Sequence, residues 1–263
     1  MLRRIWIAYS VELERVMRLK QTYIGPLLLL ALVLCTPLVH ETAWTGNGAY
    51  RFVGFVTPTA MGLLGLLFEL IFCAGLVAPE LGNGSIRQVL VRPLRRHEYV
   101  LSKLLVGMSY ATLLTGLVSA ASWAMALLLG ELRGVTYGGD LVFTAGEMRN
   151  AYALGLLLAL APQWAAAAYA VMISTLTRSP VGAVSMAVGS WFVLDLAKYP
   201  LHVDRVLFSS YMESPWQVFV QCCEGMESGW FPMAGYCLGS SGAAFVLCAA
   251  VAMATMQRRN LSL

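Results

Sequence analysis

The chain has 263 residues, of which 59% are hydrophobic and 12% charged, and its formal net charge is +4. Soluble domains hold about 45–50% apolar and about 25% charged residues, so this chain carries more apolar surface than a soluble core can bury. The composition therefore predicts a membrane protein, and the small net charge gives no reason to expect nucleic acid as a partner.

The first segment, residues 1–22, predicts an amphipathic helix ahead of the first span. Charges such as Arg3, Glu12 and Arg18 interrupt it, and it lacks a small-residue cleavage site, so it does not read as a cleavable signal peptide. Its apolar residues fall largely on one helical face. Two interpretations fit this pattern: a helix lying in the membrane interface, and a simple cytosolic helix leading into the bundle.

Six apolar stretches follow, and a spanning helix needs roughly 20 apolar residues. They are Ile24–Val39, Phe52–Val77, Leu104–Leu129, Ala151–Leu176, Val181–Ala197 and Met233–Met256. The rest of the chain is too small for a separate globular domain. The sequence therefore predicts an all-α membrane protein with one transmembrane domain over residues 1–263.

Two of the links between spans are long. The 131–150 link is rich in glycine and reads as a loop with one short helix. The 198–232 segment mixes aromatic and acidic residues and is too polar to span, so it predicts short re-entrant or interfacial helices before the last span. For its cysteines Cys222 and Cys223, both free thiols and a disulfide from one of them to Cys237 remain open.

Basic residues set the orientation of a multi-pass protein, because they concentrate on the cytosolic side. With the N-terminus in the cytosol, six spans leave only five basic residues on the outer side: Arg51, Arg133, Arg149, Lys198 and Arg205. Both termini are therefore predicted to be cytosolic, and the 198–232 segment to lie outside.

Motifs for catalysis or nucleotide binding are missing from the sequence. Gly82-Asn83-Gly84-Ser85 lacks the glycine-lysine ending of a phosphate-binding loop. The histidines His40, His97 and His202 are scattered over different links and suggest neither a metal site nor a triad. We expect no directly bound cofactor, no metal and no catalytic residue.

The most informative stretch is the charged region 79–103 between the second and third spans. Glu80 ends the second span, and a Gly-Asn-Gly-Ser break follows. Ser85 could cap a short helix through about Leu90, and Pro93 blocks its continuation. The pattern predicts a rigid amphipathic element at the membrane surface, held at both ends by spans.

This region resembles the signature of ABC transporter permeases of the type-2 (exporter) family. The matching residues, in order and spacing, are Glu80, Gly82 or Gly84, Pro93, Arg96 and Lys103. One departure is Ser102, where glycine usually precedes the lysine. The junction at residues 173–183 is similar to the family's link between the fourth and fifth spans, and the six spans with their flanking helices agree with the family over the whole chain.

The resemblance implies a non-catalytic permease subunit of an ATP-driven exporter in the cytoplasmic (inner) membrane. Two permease subunits, identical or homologous, would pair with two cytosolic ABC ATPases that bind ATP and Mg²⁺. Region 79–103 would be the cytosolic coupling helix region. The implied coupling residues are Glu80, Gly82, Gly84, Arg87, Pro93, Arg96 and Lys103. The substrate, the identity of the second permease and the transport direction stay open.

Glu69 lies inside the second span, where a charge costs several kcal/mol. A transport-path or gating role and a structural hydrogen bond to a neighbouring helix are both open for it. A second function hypothesis is an intramembrane enzyme acting on lipids, with Glu69 near His40 or Asp195. A third is a membrane anchor or assembly factor. Asp195 precedes Lys198 by about one helical turn, which favours a local ion pair.

Overall fold

The computed structural model describes residues 2–39, 48–84, 95–130, 132, 134–137, 140–226 and 229–259. Within this part of the chain, six helical stretches are long and apolar enough to cross a membrane. They are Gln21–Leu38, Ala49–Gly82, Arg96–Leu129, Ala145–Leu176, Pro180–Ala197 and Met233–Arg258. The predicted all-α membrane fold is confirmed. Five of the predicted spans fall within these stretches, and the first, Ile24–Val39, extends one residue beyond Leu38.

The helices are numbered here in chain order. They are α1 (Leu2–Met17), α2 (Gln21–Val39), α3 (Gly48–Thr59), α4 (Leu66–Ala74), α5 (Ala78–Gly82), α6 (Arg96–Leu129), α7 (Ala145–Leu176), α8 (Pro180–Ala197), α9 (Ser214–Cys223) and α10 (Met233–Arg258). A π-helical turn, Ala60–Gly65, joins α3 to α4, so α3 to α5 together make the second span. The end of the bundle where α5 stops and α6 starts is called the Glu80 end below.

Helix α7 is the centre of the bundle. It packs against α4, α6, α8 and α10. The residues of its run Ala165–Val171 are buried, and five of the seven are alanines. Small residues let helix backbones approach closely in lipid, where no hydrophobic force drives helices together. Close packing around this run explains how four helices can share one neighbour.

The second span is interrupted near the Glu80 end, between Ala74 and Ala78. The hydroxyl of Ser174, on α7, accepts hydrogen bonds from the backbone N–H groups of Val77 (3.1 Å) and Ala78 (2.9 Å). It also donates to the carbonyl of Ala74 at 2.5 Å. A helix break at membrane depth is tolerated when neighbouring side chains satisfy the freed backbone groups. Ser174 therefore satisfies the backbone groups that the break between α4 and α5 leaves unpaired within the helix.

The 131–150 link differs from its prediction as a loop with one short helix. Two antiparallel strands, β1 (Gly134–Tyr137) and β2 (Asp140–Thr144), pair within it. The physical reason is visible in the sequence, because β-branched and aromatic residues flank a Gly-Gly pair, a combination typical of hairpins. Thr144 then caps α7: its hydroxyl accepts from the Glu147 N–H (3.3 Å), and the Glu147 carboxylate accepts from the Thr144 N–H (2.8 Å).

The predicted short helices of the 198–232 segment are present as α9 and a 3₁₀ turn at Phe208–Tyr211. Trp216 and Phe219 of α9 are buried, with ring centroids 5.6 and 5.3 Å from that of Tyr152 on α7. Aromatic packing of this kind ties the segment to the bundle.

Helix α1 lies against α6 before the first span. Ile5 and Val16 are buried, whereas Trp6, Ile7 and Val11 are exposed. An exposed apolar strip on a helix beside a membrane bundle is what an interfacial helix requires.

Ser174→Ala should lower the free energy of unfolding by about 1–3 kcal/mol, because two buried N–H groups lose their acceptor. Unfolding in mixed detergent micelles measures this. Ser10→Ala is the matched control, since Ser10 is exposed and bonds only within its own helix. Equal stability of the two variants would show that Ser174 does not hold the break.

Candidate functional site

The two flanks of the charged region meet in a buried ion pair. Lys103 Nζ on α6 lies 2.6 Å from Glu80 Oε1 on α5. The hydroxyl of Tyr99, one turn before Lys103, donates to Glu80 Oε2 at 2.7 Å. All three side chains are buried, and Lys103 is 0% exposed. The structure therefore places together two of the residues singled out from the sequence, although they are far apart in the chain.

Helix α1 completes this cluster with two charges that sequence reasoning missed. Glu12 accepts from Lys103 Nζ at 2.6 Å, and Arg15 donates to Glu80. Burial acts to lower the pKa of Arg15, but Glu80 and Glu12 outweigh it and hold that pKa above its ordinary value. The only signal in the sequence was that Glu12 and Arg15 are three residues apart and so share a helix face. We call these four charged residues, Glu80, Lys103, Glu12 and Arg15, together with Tyr99, the Glu80 cluster.

The Glu80 cluster is balanced in charge, with two carboxylates facing an ammonium and a guanidinium. Buried charges are tolerated when they are paired and hydrogen-bonded, but losing one partner leaves the other unpaired. Every charge here has an opposite partner, so the cluster contains no free acid or base for chemistry. It is suited to fixing α1, α5 and α6 rigidly to one another.

Arg96 makes a second contact between helices at the same end. Its guanidinium donates to the carbonyls of Met256 (3.1 Å), Gln257 (2.9 Å) and Arg259 (2.9 Å). These carbonyls lie at the C-terminus of α10, where the last backbone acceptors of a helix need partners. Arg259 in turn donates to the carbonyl of Thr175 on α7 at 2.5 Å. The start of α6 is thereby linked to α10, and α10 to α7.

Gly82 makes a third contact at this end, with the link between α7 and α8. A Cβ built on Gly82 would lie 2.4 Å from the backbone oxygen of Arg178, closer than atoms can approach. The missing side chain is what lets α5 sit against this link. The 173–183 junction that the sequence singled out therefore lies directly beside the charged region.

The other predicted coupling residues are at or beyond the edge of the described chain. Gly84 is exposed and has φ +67°, a conformation that favours glycine. Arg87 and Pro93, and the helix predicted to follow Ser85, lie outside the described residues. The assignment of the seven residues to ATPase coupling stays a prediction.

Glu69 is fully buried on α4. The backbone of Ala167 on α7 is near enough to act on its carboxylate, but neither oxygen makes a hydrogen bond of normal geometry to any described residue. A structural hydrogen bond to a neighbouring helix stays open, because Ala167 belongs to α7. The transport-path role of Glu69 stays a prediction.

Other candidate chemistry receives no support from the geometry. Asp195 pairs with Lys198 at 2.6 Å, as its spacing predicted, and His40 lies outside the described residues. In the described part of the chain, no group of three His, Cys, Asp or Glu side chains could hold a metal ion. Cys222, Cys223 and Cys237 are buried, Cys223 and Cys237 are free thiols, and burial raises the pKa of Cys223 to about 12.

The chain is a multi-pass membrane protein, and it belongs to a family described as a protein of unknown function (DUF2705), whose sequence model matches residues 32–262. No curated protein matches the sequence significantly. The family description assigns no activity.

Glu80→Gln and Lys103→Met should each destabilise the fold by about 3–5 kcal/mol, because each removes one of the two opposite partners of a buried charge. The double variant should cost clearly less than the sum of the two, since it removes both charges together. Unfolding in mixed micelles gives the coupling free energy. Additive losses would argue against a direct pair.

The matched control is the exposed pair Glu14 and Arg18 on α1, which are 65% and 77% exposed at their side chains. Glu14→Gln and Arg18→Met should each change stability by less than about 1 kcal/mol, as is usual for surface ion pairs.

Gly82→Ala should destabilise the protein by about 1–3 kcal/mol, the usual cost of overpacking, because its Cβ would overlap the Arg178 backbone. Gly239→Ala on α10 is the control, since a Cβ there meets open space. The comparison of unfolding free energies measures the effect, and an unaffected Gly82→Ala variant would contradict the close contact.

Proposed function

We propose that this chain is the membrane-spanning permease subunit of an ATP-driven ABC exporter. In this proposal the Glu80 end faces the cytosol, where a separate ATPase subunit docks on the 79–103 region. ATP and Mg²⁺ are bound by that partner, and this chain catalyses no reaction itself.

The observation that carries the proposal is the buried Lys103–Glu80 pair. It joins the end of the second span to the start of the third, on either side of the segment that resembles the coupling element of type-2 permeases. A partner pressing on that segment would therefore push against two helix ends, those of α5 and α6, that are joined to each other.

Neighbouring contacts would transmit a displacement of this region to other helices. The Glu80 cluster reaches α1, Arg96 reaches the end of α10, and Gly82 contacts the α7–α8 link. A displacement of the 79–103 region would thus move several spans together, which is what opening a path between two permease subunits requires.

In this proposal the coupling residues have different tasks. Glu80 and Lys103 are buried within the chain, and Arg96 is occupied by α10, so these residues position the docking region. Exposed residues make the direct contact with the ATPase. Arg95 is exposed at the start of α6, and Gly84 is exposed after α5.

Arg95→Glu should reduce the ATP hydrolysis of the complex with its ATPase by at least about tenfold, because a charge reversal at a docking surface costs several kcal/mol. An acidic residue is compatible with the start of α6, since it favours the positive end of the helix dipole. The readouts are co-purification with the ATPase and hydrolysis in proteoliposomes.

Arg149→Glu is the matched control, an exposed arginine at the opposite end of the bundle. It should leave hydrolysis unchanged, and both variants should unfold like the parent chain. Full activity of Arg95→Glu, or full function of the chain without any ATPase, would contradict the proposal.

A further inference from the structure

A polar cavity of about 420 Å³ lies at the end of the bundle opposite the Glu80 cluster. It is enclosed by the end of α8, the segment after it and the start of α9. Five of its lining residues carry charge: Asp195, Lys198, Asp204, Arg205 and Glu213. A concave site of this size is within the usual range for small ligands.

Only some of the charged side chains that line this cavity form ion pairs with each other. Asp195 is paired with Lys198, but Asp204, Arg205 and Glu213 form no ion pair with any side chain in the described ranges. The cavity thus offers two free carboxylates and one free guanidinium. This mixture suits a ligand head that carries both a positive and a negative group.

The wall of the cavity also contains unsatisfied hydroxyls. Ser209 is 7% exposed, and the hydroxyl oxygens of Ser209 and Ser210 are buried without a hydrogen-bond partner among the residues that the structure covers. Buried polar groups normally have a partner, from the protein, from water or from a ligand. Serine can change rotamer cheaply, so these hydroxyls can turn toward a bound head group.

A second cavity of about 350 Å³ adjoins the polar one. Most of its lining residues are apolar, and its two carboxylates, Asp195 and Glu213, are shared with the polar cavity, so we call it the apolar cavity. The two share a wall that includes Gly62, Trp191 and Glu213. The apolar cavity is further lined by Leu63 and Phe192, which are 55% and 49% exposed on the outside of spanning helices. In a bilayer this side faces acyl chains.

The π-helical turn of the second span forms part of the shared wall. Glu213 Oε1 would lie 3.4 Å from a Cβ on Gly62, so the carboxylate rests against this turn. π-Helical turns inside α-helices occur frequently at functional sites. Here the turn lies where the polar and apolar cavities meet.

We propose that these adjoining cavities bind a zwitterionic amphiphile. Glu213 and Asp204 bind its cationic amine, and Arg205 binds its anionic phosphate or carboxylate. Its acyl chain lies along Leu63 and Phe192. The chemistry is that of an aminophospholipid or of a lipid-linked cargo with such a head. This inference is independent of the proposed function, because binding is a property of the isolated chain.

The test is native mass spectrometry of the purified full chain in neutral detergent, with phosphatidylethanolamine and phosphatidylglycerol of identical acyl chains in competition. Phosphatidylethanolamine should be retained preferentially. Glu213→Gln and Arg205→Gln should each weaken its binding at least about tenfold, as expected for the loss of a charge-assisted contact. Both residues are in an exposed segment, and thermal unfolding of each variant verifies that it is folded.

Two control variants and one soluble ligand complete the test. Asp140→Asn on β2 and Arg149→Gln on α7 change exposed charges outside the cavity and should leave binding unchanged. Glycerophosphoethanolamine, which has the head group without acyl chains, should displace the lipid poorly. Equal binding of the two lipids, unchanged binding in both cavity variants, or displacement by the soluble head group as effective as by the lipid would overturn the proposal.

Discussion

The buried pair of Lys103 and Glu80 is the constraint on which the rest of the Glu80 end depends. A fully buried ammonium needs anionic partners, and here they come from α5 and α1, with Tyr99 adding a hydrogen bond to the same carboxylate. Because burying unpaired charge costs more than a typical core contact gains, this requirement fixes how three helices meet. The hydrogen bonds of Arg96 and Arg259 join α10 to α6 and α7, and the contact of Gly82 joins α5 to the α7–α8 link.

The sequence predicted the spans well, because apolar length alone decides which segments cross a bilayer. The resemblance to type-2 ABC permeases also singled out Glu80, Lys103 and Arg96. The sequence could not predict Glu12 and Arg15 as partners, since their contact depends on how α1 docks, a tertiary choice with no local signature. The 131–150 link was predicted wrongly because its glycines outweighed the strand pattern on either side of them. The π-helical turn and the cavities beside it likewise arise from packing between segments distant in sequence.

The two ends of the bundle are built for different tasks. At the Glu80 end the charges are paired internally, so the end is rigid and carries exposed positions such as Arg95 on its surface. At the opposite end charges such as Glu213 remain unpaired and line a cavity that continues into an apolar one. The second span connects the two, because its π turn lines the cavities and its break at Ser174 lies near the Glu80 end. A motion that starts at the Glu80 end can therefore reach the cavities through a single span.

Photocrosslinking from position 95 in living cells tests the central claim most directly. A benzophenone amino acid placed there samples whatever the Glu80 end faces, and the same probe at position 149 samples the opposite end. The account predicts a crosslink from position 95, and none from position 149, to a cytosolic subunit that carries a phosphate-binding loop. Crosslinks from position 95 only to lipid or to proteins outside the cytosol would contradict it.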